Sequence, residues 1–398
     1  MSELNISKER LLETTLKLWQ YCLNRNFSGH DPYDALNSRL LKIMPVGKSK
    51  FFRLAFTQVL KRLPINIRPL LLIPKTQNPK ALAIFLKAAL RLSAAGVIDT
   101  SKQISYLINR LSELGATGIP YYCWGYSFPW QTRSLLVPRG APNLVCTVFV
   151  ADALLDAYEA VGNESSLEMA VSAGRYLFNE LYWYEGQEAG FSYPQPGLRI
   201  HIYNADLLGS ALLVRIARLT NNSEYTEAAL KVTRFTVARQ NEDGSWYYGN
   251  TPGSRWIDNF HTGYNLLALK DISRYVQTEE FEPALNRGLE FYKNHFFRPD
   301  GAPKYYPNQA YPIDTHCLAQ SIITLEALQN KDQGNHELAV SVFNWALKNM
   351  WSRKGYFYYQ LHRFYKNRLS YMRWSQAWML LALSYLLDSM KDTAKQFD

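Results

Sequence analysis

The sequence predicts an all-α fold, an (α/α) toroid of about six helical hairpins with long loops on one face. The first observation is a repeated turn, a glycine followed by aromatic residues, at Gly190, Gly244, Gly301 and Gly355. These glycines lie 54, 57 and 54 residues apart by subtraction. The second is an apolar helix after each turn, followed by another helix after a polar turn. Open helical solenoids have periods of ~34 to 47 residues with short connectors, so the longer period here favours a closed ring.

Apolar periodicity and turn residues predict the elements in chain order. A first helix at 8–26 ends at the turn formers of 29–34, and another is expected at about 50–63. Prolines at 64, 69, 74 and 79 then divide the chain into short extended pieces, because proline disfavours helix at its own position and at the one before. The predicted hairpins are 80–95 with 101–115, 144–161 with 165–183, 204–219 with 223–240, 260–276 with 280–297, and 315–329 with 336–351, followed by a single helix at 373–390.

One large domain is predicted. The 398 residues could hold two or three average domains, but a continuous repeat favours a single one. We expect the toroid to span 79–398, with the N-terminal helices and proline-rich segment of 1–78 packed on it. One of those helices would pair with the unpartnered last helix and close the ring.

The cysteines and short motifs predict neither a metal nor a cofactor. The four cysteines show no CxxC spacing, so buried, reduced thiols are expected. No P-loop, GxSxG or GxGxxG stands out, and zinc held by histidines is a lesser alternative.

The chain ends and the charge bear on location and partners. The N-terminal stretch has no apolar core of a signal peptide, and the apolar runs fall short of the ~20 residues that span a bilayer. We therefore expect a cytoplasmic protein without an integral membrane segment. The net charge of +10 invites a nucleic-acid partner, but no nucleic-acid recognition motif supports one. The oligomeric state is left open.

The loops before the apolar helices are basic and aromatic. The windows 123–143, 189–206, 241–261, 299–316 and 353–376 hold eleven Lys or Arg against six acids, a net +5, with 13 of the 27 tyrosines. Flat aromatic faces suit sugar rings, and arginine forks bind carboxylates. The loops therefore indicate a cleft for an acidic glycan, although the same aromatics could plug the ring. The candidate binding residues are Trp124, Tyr126, Trp130, Gln131, Arg133, Tyr193, Arg199, Asn204, Trp246, Arg255, Asn259, Tyr305, His362, Arg373 and Trp374.

Three polar residues occupy one equivalent position of the repeat. Asn204, Asp258 and Asp314 each stand seven residues before the repeated apolar segment of their helix. Short side chains of this kind cap helix N-termini. Capping and catalysis are both open interpretations, since a cap at the cavity mouth also faces the cavity.

Histidines follow at the same helix starts. His261 and His316 lie just inside their helices, where the helix dipole favours a neutral imidazole that can act as a base. His201 and Tyr203 lie just before or at a third helix. These residues, with Asp258 and Asp314 as alternatives, are the candidate catalytic group, and Arg199 and Arg255 the candidate carboxylate clamps.

From about residue 120 to 390 the chain resembles α/α-toroid proteins of the six-hairpin glycosidase type. Within that group, Trp124-Gly-Tyr126-Ser-Phe-Pro-Trp130-Gln131 and the helix starts are similar to uronyl C5-epimerases and toroid polysaccharide lyases. The segment 31–38, DPYDALNS, resembles that of proteins from bacterial capsule or exopolysaccharide gene clusters.

The resemblance implies an enzyme that removes the C5 proton of a uronate in an acidic glycan, as an epimerase or a lyase, in association with a polysaccharide-synthesis machine. A glycoside hydrolase with Asp258 and Asp314 as paired carboxylates and a non-catalytic glycan-binding protein are the alternatives.

The segment 240–246, QNEDGSW, resembles the QW motif of terpene cyclases and prenyltransferases, which share the toroid. The acid clusters and zinc ligands of those families are missing from the sequence, and His316-Cys317 alone does not supply the zinc ligands of lanthionine cyclases. These activities are therefore less favoured.

Overall fold

The computed structural model describes residues 8–132, 135–332 and 334–395, which form fourteen α-helices and nine short strands. The helices are α1 (Lys8–Leu23), α2 (Arg39–Ile43), α3 (Lys50–Arg62), α4 (Pro79–Ala94), α5 (Ser101–Glu113), α6 (Leu144–Val161), α7 (Glu164–Tyr176), α8 (Tyr203–Thr220), α9 (Ser223–Val237), α10 (Asn259–Val276), α11 (Glu282–Phe296), α12 (Thr315–Ala327), α13 (Gly334–Met350) and α14 (Trp378–Lys395). The strands are β1 (Trp130–Gln131), β2 (Leu136–Val137), β3 (Tyr182–Glu185), β4 (Glu188–Phe191), β5 (Ile313–Asp314), β6 (Trp351–Ser352), β7 (Tyr356–Phe357), β8 (Gln360–Leu361) and β9 (Lys366–Asn367).

The even-numbered helices from α4 to α14 form a closed inner ring. Each packs against the next, and α14 packs against α4. An outer helix covers each of them: α5, α7, α9, α11 and α13 in turn, and α1 beside α14. The predicted toroid of six hairpins is therefore confirmed, and an N-terminal helix completes the last hairpin as expected. The boundary at 78/79 stays a prediction.

Connector lengths divide the ring into two faces. Short turns lead from the inner helices α4, α6, α8, α10 and α12 to their outer partners, as at Gly162, where φ of 66° ends α6. The connectors from outer to inner helices are long and carry all nine strands, which pair as β1 with β2, β3 with β4, β6 with β7, and β5–β8–β9. Since every inner helix begins after a long connector, the six inner N-termini share the loop face.

Repeated glycines fix the long connectors onto the outer helices. Gly244, Gly301 and Gly355 all have φ between 82° and 88°, where a side chain is strained. An added Cβ at Gly244 would lie 2.4 Å from the Arg287 carbonyl oxygen of α11, and at Gly355 3.1 Å from that of Lys17 in α1. The same turn thus touches α11 in one unit and α1 in another, so α1 occupies the place of an ordinary outer helix.

Apolar side chains fill the space between the rings in one continuous core. All four cysteines are free and buried in it, as predicted. A cavity of about 120 Å³ remains inside the inner ring, lined by residues of all six inner helices. At the end opposite the loops, Lys87 of α4 and Arg215 of α8 pair with Asp152 and Asp156 of α6. No helix in the described part of the chain has the length and hydrophobicity needed to cross a bilayer.

Replacing Leu18 with alanine should loosen the last hairpin. Leu18 is fully buried on α1, and deleting such a side chain costs about 2–5 kcal/mol of unfolding free energy. Urea unfolding followed by circular dichroism should show an earlier transition. The exposed Gln20 of the same helix supplies the control Gln20→Ala, and equal midpoints for the two variants would contradict the role given to α1.

Candidate active site

A buried ion pair ties the N-terminal segment to the mouth of the ring. Asp31 accepts two hydrogen bonds from the Arg373 guanidinium, at 2.6 and 2.8 Å, just before α14. Asp34, three residues on, accepts one from Arg68 at 2.7 Å. The Arg373 fork also lies over the rings of Tyr126 and Trp374. Arg373, a predicted substrate-binding residue, is therefore already paired within the chain.

Asp258 and His261 form a dyad at the start of α10. One Asp258 oxygen caps the helix by accepting from the His261 backbone N–H at 3.0 Å. The other lies 2.7 Å from His261 Nδ1 and 3.2 Å from Trp256 Nε1, which donates to it. With Nδ1 donating to the carboxylate, Nε2 of the imidazole carries the lone pair. That nitrogen has no partner among the described residues, and the side chain is 22% exposed.

His316 lies beside this dyad on α12. The Phe260 ring separates the two histidines, with ring centroids 4.2 Å from His261 and 4.6 Å from His316. His316 Nε2 lies 2.7 Å from the Tyr264 hydroxyl. Burial, with Lys80 and Arg373 nearby, lowers the pKa of His316 well below its ordinary value. His316 is therefore a neutral imidazole paired with a tyrosine.

Asp314 caps α12 and is saturated by donors. One of its oxygens accepts from the His316 backbone N–H at 2.8 Å and from Trp374 Nε1 at 2.9 Å. The other accepts from Gln360 Nε2 at 2.6 Å, and Gln360 Oε1 lies 3.2 Å from His362 Nε2. Burial raises the pKa of Asp314 to about 6, against these hydrogen bonds, which lower it. No part of this fully buried carboxyl is open to a substrate.

An aromatic path leads from the surface to the dyad. Tyr248 stacks on Trp256 with centroids 4.5 Å apart and lies 4.7 Å from His261. Trp256 also lines an open groove of about 610 Å³, together with Arg255 and Tyr306. This groove is within the size range of about 300–1,000 Å³ that small-molecule sites occupy.

Further tyrosines surround the same mouth. Trp130 lies 6.2 Å from Tyr126 and 6.4 Å from Tyr193, between the loops that precede α6 and α8. Tyr305 packs edge-on against Phe260 at 5.6 Å. Burial raises the pKa of Tyr126, Tyr193 and Tyr305, so these phenols are protonated hydrogen-bonding groups.

Several predicted binding residues form hydrogen bonds within the protein and are not available to a ligand. Trp124 and Trp246 are buried, and their indole N–H groups donate to the carbonyls of Leu111 in α5 and Thr236 in α9. Asn259 is buried between α10, α11 and α12, where it bonds to Ser321 and Tyr292. Gln131 accepts from Arg53 and donates to backbone carbonyls. These four residues are therefore not part of the proposed binding site.

The third predicted helix start differs from the other two. The helix α8 begins at Tyr203, with Ile202 at the cap position and no side-chain cap, so the cap interpretation of Asn204 is wrong. His201 is buried against Phe235 of the outer helix α9, with centroids 4.1 Å apart, and bonds to Asp206. The structure therefore brings together Asp258, His261, Asp314 and His316, and it places His201 and Tyr203 in a separate cluster.

The two arginines predicted to bind a carboxylate do not lie in the same place. Arg199 is exposed and paired with the exposed Glu185 at 2.8 Å. Arg255 is exposed in the groove beside Trp256. Arg133 lies outside the described residues.

Two residues of the site escaped the sequence reasoning. Tyr264 follows His261 by three positions, so helical spacing could have placed it on the same face. Lys80 stands two residues after the Asn78 cap of α4, and the cap rule could have found it. Its ammonium lies 3.9 Å above the Phe149 ring, and burial lowers its pKa well below the ordinary value. Among the described residues, no cluster of histidine, cysteine and acidic side chains is arranged to hold a metal ion.

Solved structures share this fold at low sequence identity. The Lin0763 protein from Listeria innocua superposes with a TM-score of 0.61 at 13% identity, covering 90% of this chain and 97% of that one. The cellobiose 2-epimerase from Bacillus thermoamylovorans gives 0.62 at 11%, covering 79% and 88%. A possible GH105 family member from Salmonella enterica gives 0.62 at 12%, covering 98% and 97%.

No protein-family model and no curated protein sequence matches the chain. The structural likenesses show the fold, an α/α toroid.

Asp314→Asn should change how stability depends on pH. A folded pKa of about 6, above the ordinary value of about 3.9, means that the folded protein holds this proton more tightly than the unfolded chain. The carboxyl's contribution to the free energy of unfolding therefore falls as the pH rises from about 4 to about 6.

The asparagine variant lacks this titration, so its deficit relative to the wild type should shrink over the same window. Urea unfolding at several pH values measures the difference, with Asp300→Asn on an exposed loop as the control. A deficit that is constant from pH 4 to 7 would show that Asp314 does not titrate there.

Proposed function

We propose that this protein is a carbohydrate-active enzyme that moves a proton on and off a sugar carbon, with His261 as the base. The observation that carries the proposal is the Asp258–His261 dyad: the carboxylate holds Nδ1, which leaves Nε2 unpaired at the mouth of the toroid. A histidine oriented in this way is a competent general base.

The neighbouring groups would stabilise the charges that form during proton transfer and return a proton to the sugar carbon. When His261 Nε2 takes the proton from carbon, Asp258 stabilises the resulting imidazolium. The protonated hydroxyl of Tyr264 is paired with neutral His316, and the Tyr264 ring lies 6.0 Å from the His261 ring. We propose that this hydroxyl hydrogen-bonds the oxygen on which negative charge develops, or returns a proton to carbon.

Within this class we propose a uronate in an acidic glycan as the substrate and its C5 as the reacting carbon. The open groove supports this choice, because it places an exposed arginine, Arg255, beside the tryptophan that donates to Asp258. An arginine fork binds a carboxylate at two points, and the flanking aromatic faces suit sugar rings. Inversion at C5 would make the protein an epimerase, and loss of the group at C4 a lyase. A role in capsule or exopolysaccharide synthesis, beside a polysaccharide-synthesis machine, belongs to the same proposal.

Hydrolysis by paired carboxylates is less well supported. Asp258 accepts from a backbone N–H, a histidine and a tryptophan, and Asp314 accepts from three donors. A hydrolytic pair needs one acid that reaches the glycosidic oxygen and one base that reaches water. The cellobiose 2-epimerase with this fold is named for inversion at a sugar carbon, which agrees with proton transfer.

Deuterium exchange tests the chemistry. In heavy water, a panel of uronate-containing oligosaccharides should include one that gains deuterium at C5, seen by NMR and mass spectrometry. His261→Ala should lower the exchange rate by roughly 10²–10⁴-fold, the usual contribution of a general base. His295→Ala, at an exposed histidine of α11, should leave the rate unchanged. Label from heavy-oxygen water at a new reducing end without C5 exchange would identify a hydrolase instead, and binding without either change a glycan-binding protein.

Substrate charge is tested separately at two arginines. Arg255→Ala should weaken binding of the acidic oligosaccharide about tenfold or more, because a charge-assisted bond is lost. Arg199→Ala, which removes an arginine already paired with Glu185, should have little effect. Calorimetric titration with matched acidic and neutral oligosaccharides measures both. Equal affinities for the two ligands would refute the uronate assignment without touching the role of His261.

A further inference from the structure

One segment of the chain carries all of its excess positive charge. Between Asp34 and Asp99 there is no acidic residue, while twelve lysines and arginines fall in the same interval. The net charge of the chain is +10, so the remainder sums to 10 − 12 = −2. The most exposed part of this interval is 39–72, which holds α2, α3 and the turn that follows them.

The same segment holds an unusual number of exposed apolar side chains. Of the sixteen large hydrophobic residues that are exposed in the described part of the chain, eight lie between positions 40 and 72. Ile43, Phe51 and Leu70 are 80%, 81% and 77% exposed. Single exposed hydrophobics are ordinary, but a concentration of them marks an interaction surface.

The fold holds these side chains outward. Leu60 and Phe56 of α3 pack with Ile73 and Ala35 in a small separate core, while Phe51, on the other side of the helix, and Val59 are exposed. These exposed residues therefore belong to a helix that is already anchored by its packed face.

The turn after α3 is also held in place. Arg68 is buried and bonds to Asp34, and Ser38 donates to the Leu71 carbonyl. Leu72 has a φ of 51°, a conformation that a bulky residue adopts only under constraint. Leu72 and Leu70 are thereby presented to solvent on a fixed turn.

We propose that the segment 39–72, called here the docking surface, binds the surface of an anionic phospholipid bilayer. Basic side chains interleaved with exposed Ile, Leu and Phe suit such a surface. The apolar groups enter the boundary between headgroups and acyl chains, and the cations are attracted to the negative charge of the lipids. An acidic protein surface would account for the cations, but it would not call for this concentration of exposed isoleucine, phenylalanine and leucine side chains.

The docking surface lies next to the mouth of the toroid. On the inner side of α3, Lys61 donates to the Tyr33 hydroxyl at 2.6 Å, and Tyr33 packs on Trp374. The Leu63 carbonyl accepts from Asn367 of β9, and the tip of that hairpin exposes Phe364 at 88%. Docking would therefore hold the loop face beside the bilayer, independently of which reaction the site performs.

Vesicle flotation tests the proposal with the full chain. Vesicles of phosphatidylcholine with about one third phosphatidylglycerol should carry the protein upward, and vesicles of phosphatidylcholine alone should carry much less. Raising the salt should release the protein, because surface attraction is screened within a Debye length. Lys48→Glu with Lys50→Glu should lower the bound fraction at least tenfold, as should Phe51→Ser with Leu70→Ser.

A matched control variant changes one basic and one apolar residue on the opposite face of the ring. Arg218→Glu with Leu219→Ser alters an exposed basic and apolar pair at the end of α8, and its binding should equal that of the wild type. Phe51→Cys labelled with an environment-sensitive dye should become brighter on anionic vesicles, whereas Leu219→Cys labelled in the same way should not. The native cysteines are buried and should not take up the label.

Three results would overturn the proposal. The first is equal flotation on neutral and anionic vesicles. The second is loss of binding in the control to the same extent as in the docking-surface variants. The third is dimerisation through the docking surface, with no lipid binding, shown by light scattering and abolished by Phe51→Ser. Circular dichroism of every variant separates loss of binding from loss of fold.

Discussion

The architecture of the mouth depends on the buried pair between Asp31 and Arg373. These residues stand 342 positions apart in the sequence, and their contact joins the N-terminal segment to the residues that lead into the last inner helix. A buried arginine without its carboxylate is costly, at about 3–5 kcal/mol for a broken pair. Because the Arg373 fork also lies over Tyr126 and Trp374, the pair holds the loops before α6 and α14 against the N-terminal segment. The wall of the proposed site is therefore assembled by a contact that itself takes no part in binding.

The same pair helps to make the two histidines unequal. Burial, together with the nearby Lys80 and Arg373, disfavours a charge on His316 and lowers its pKa. His261 differs in its hydrogen bond, because the Asp258 carboxylate holds its Nδ1. Two groups of one residue type thus receive different tasks from their surroundings, one suited to accept a proton and one to remain a neutral partner of Tyr264. Pairs of titratable groups whose environments differ in this way are a common basis for acid–base roles.

The sequence was sufficient for the ring and for part of the site. Helical periodicity and the recurring glycines predict the hairpins, and the spacing of Asp258 and Asp314 predicts their capping positions. Asn204 has the same spacing, but α8 begins one residue earlier, at Tyr203, whose backbone N–H donates to the Tyr248 carbonyl in another loop. Spacing alone does not show this contact. Trp124 and Trp246 look like sugar platforms by residue type, yet both turn inward to satisfy carbonyls near the ends of outer helices. The pairing of Arg373 with Asp31 could not be predicted from the sequence either, since a contact between residues more than three hundred positions apart leaves no local pattern.

Closure of the ring by α1 has a consequence for the order in which the molecule can fold. During synthesis, α1 and α4 emerge before the other helices of the ring, but each needs α14, which follows all of them in the chain. Until then the finished hairpins can stack only as an open arc, with the exposed flank of α4 at one end and that of the newest helix at the other. Contacts that join distant parts of a chain form slowly, and exposed apolar flanks invite aggregation. The nascent protein therefore exposes two apolar helix flanks until α14 has been synthesised. Both flanks are covered in the single step that brings α14 between α12 and α4.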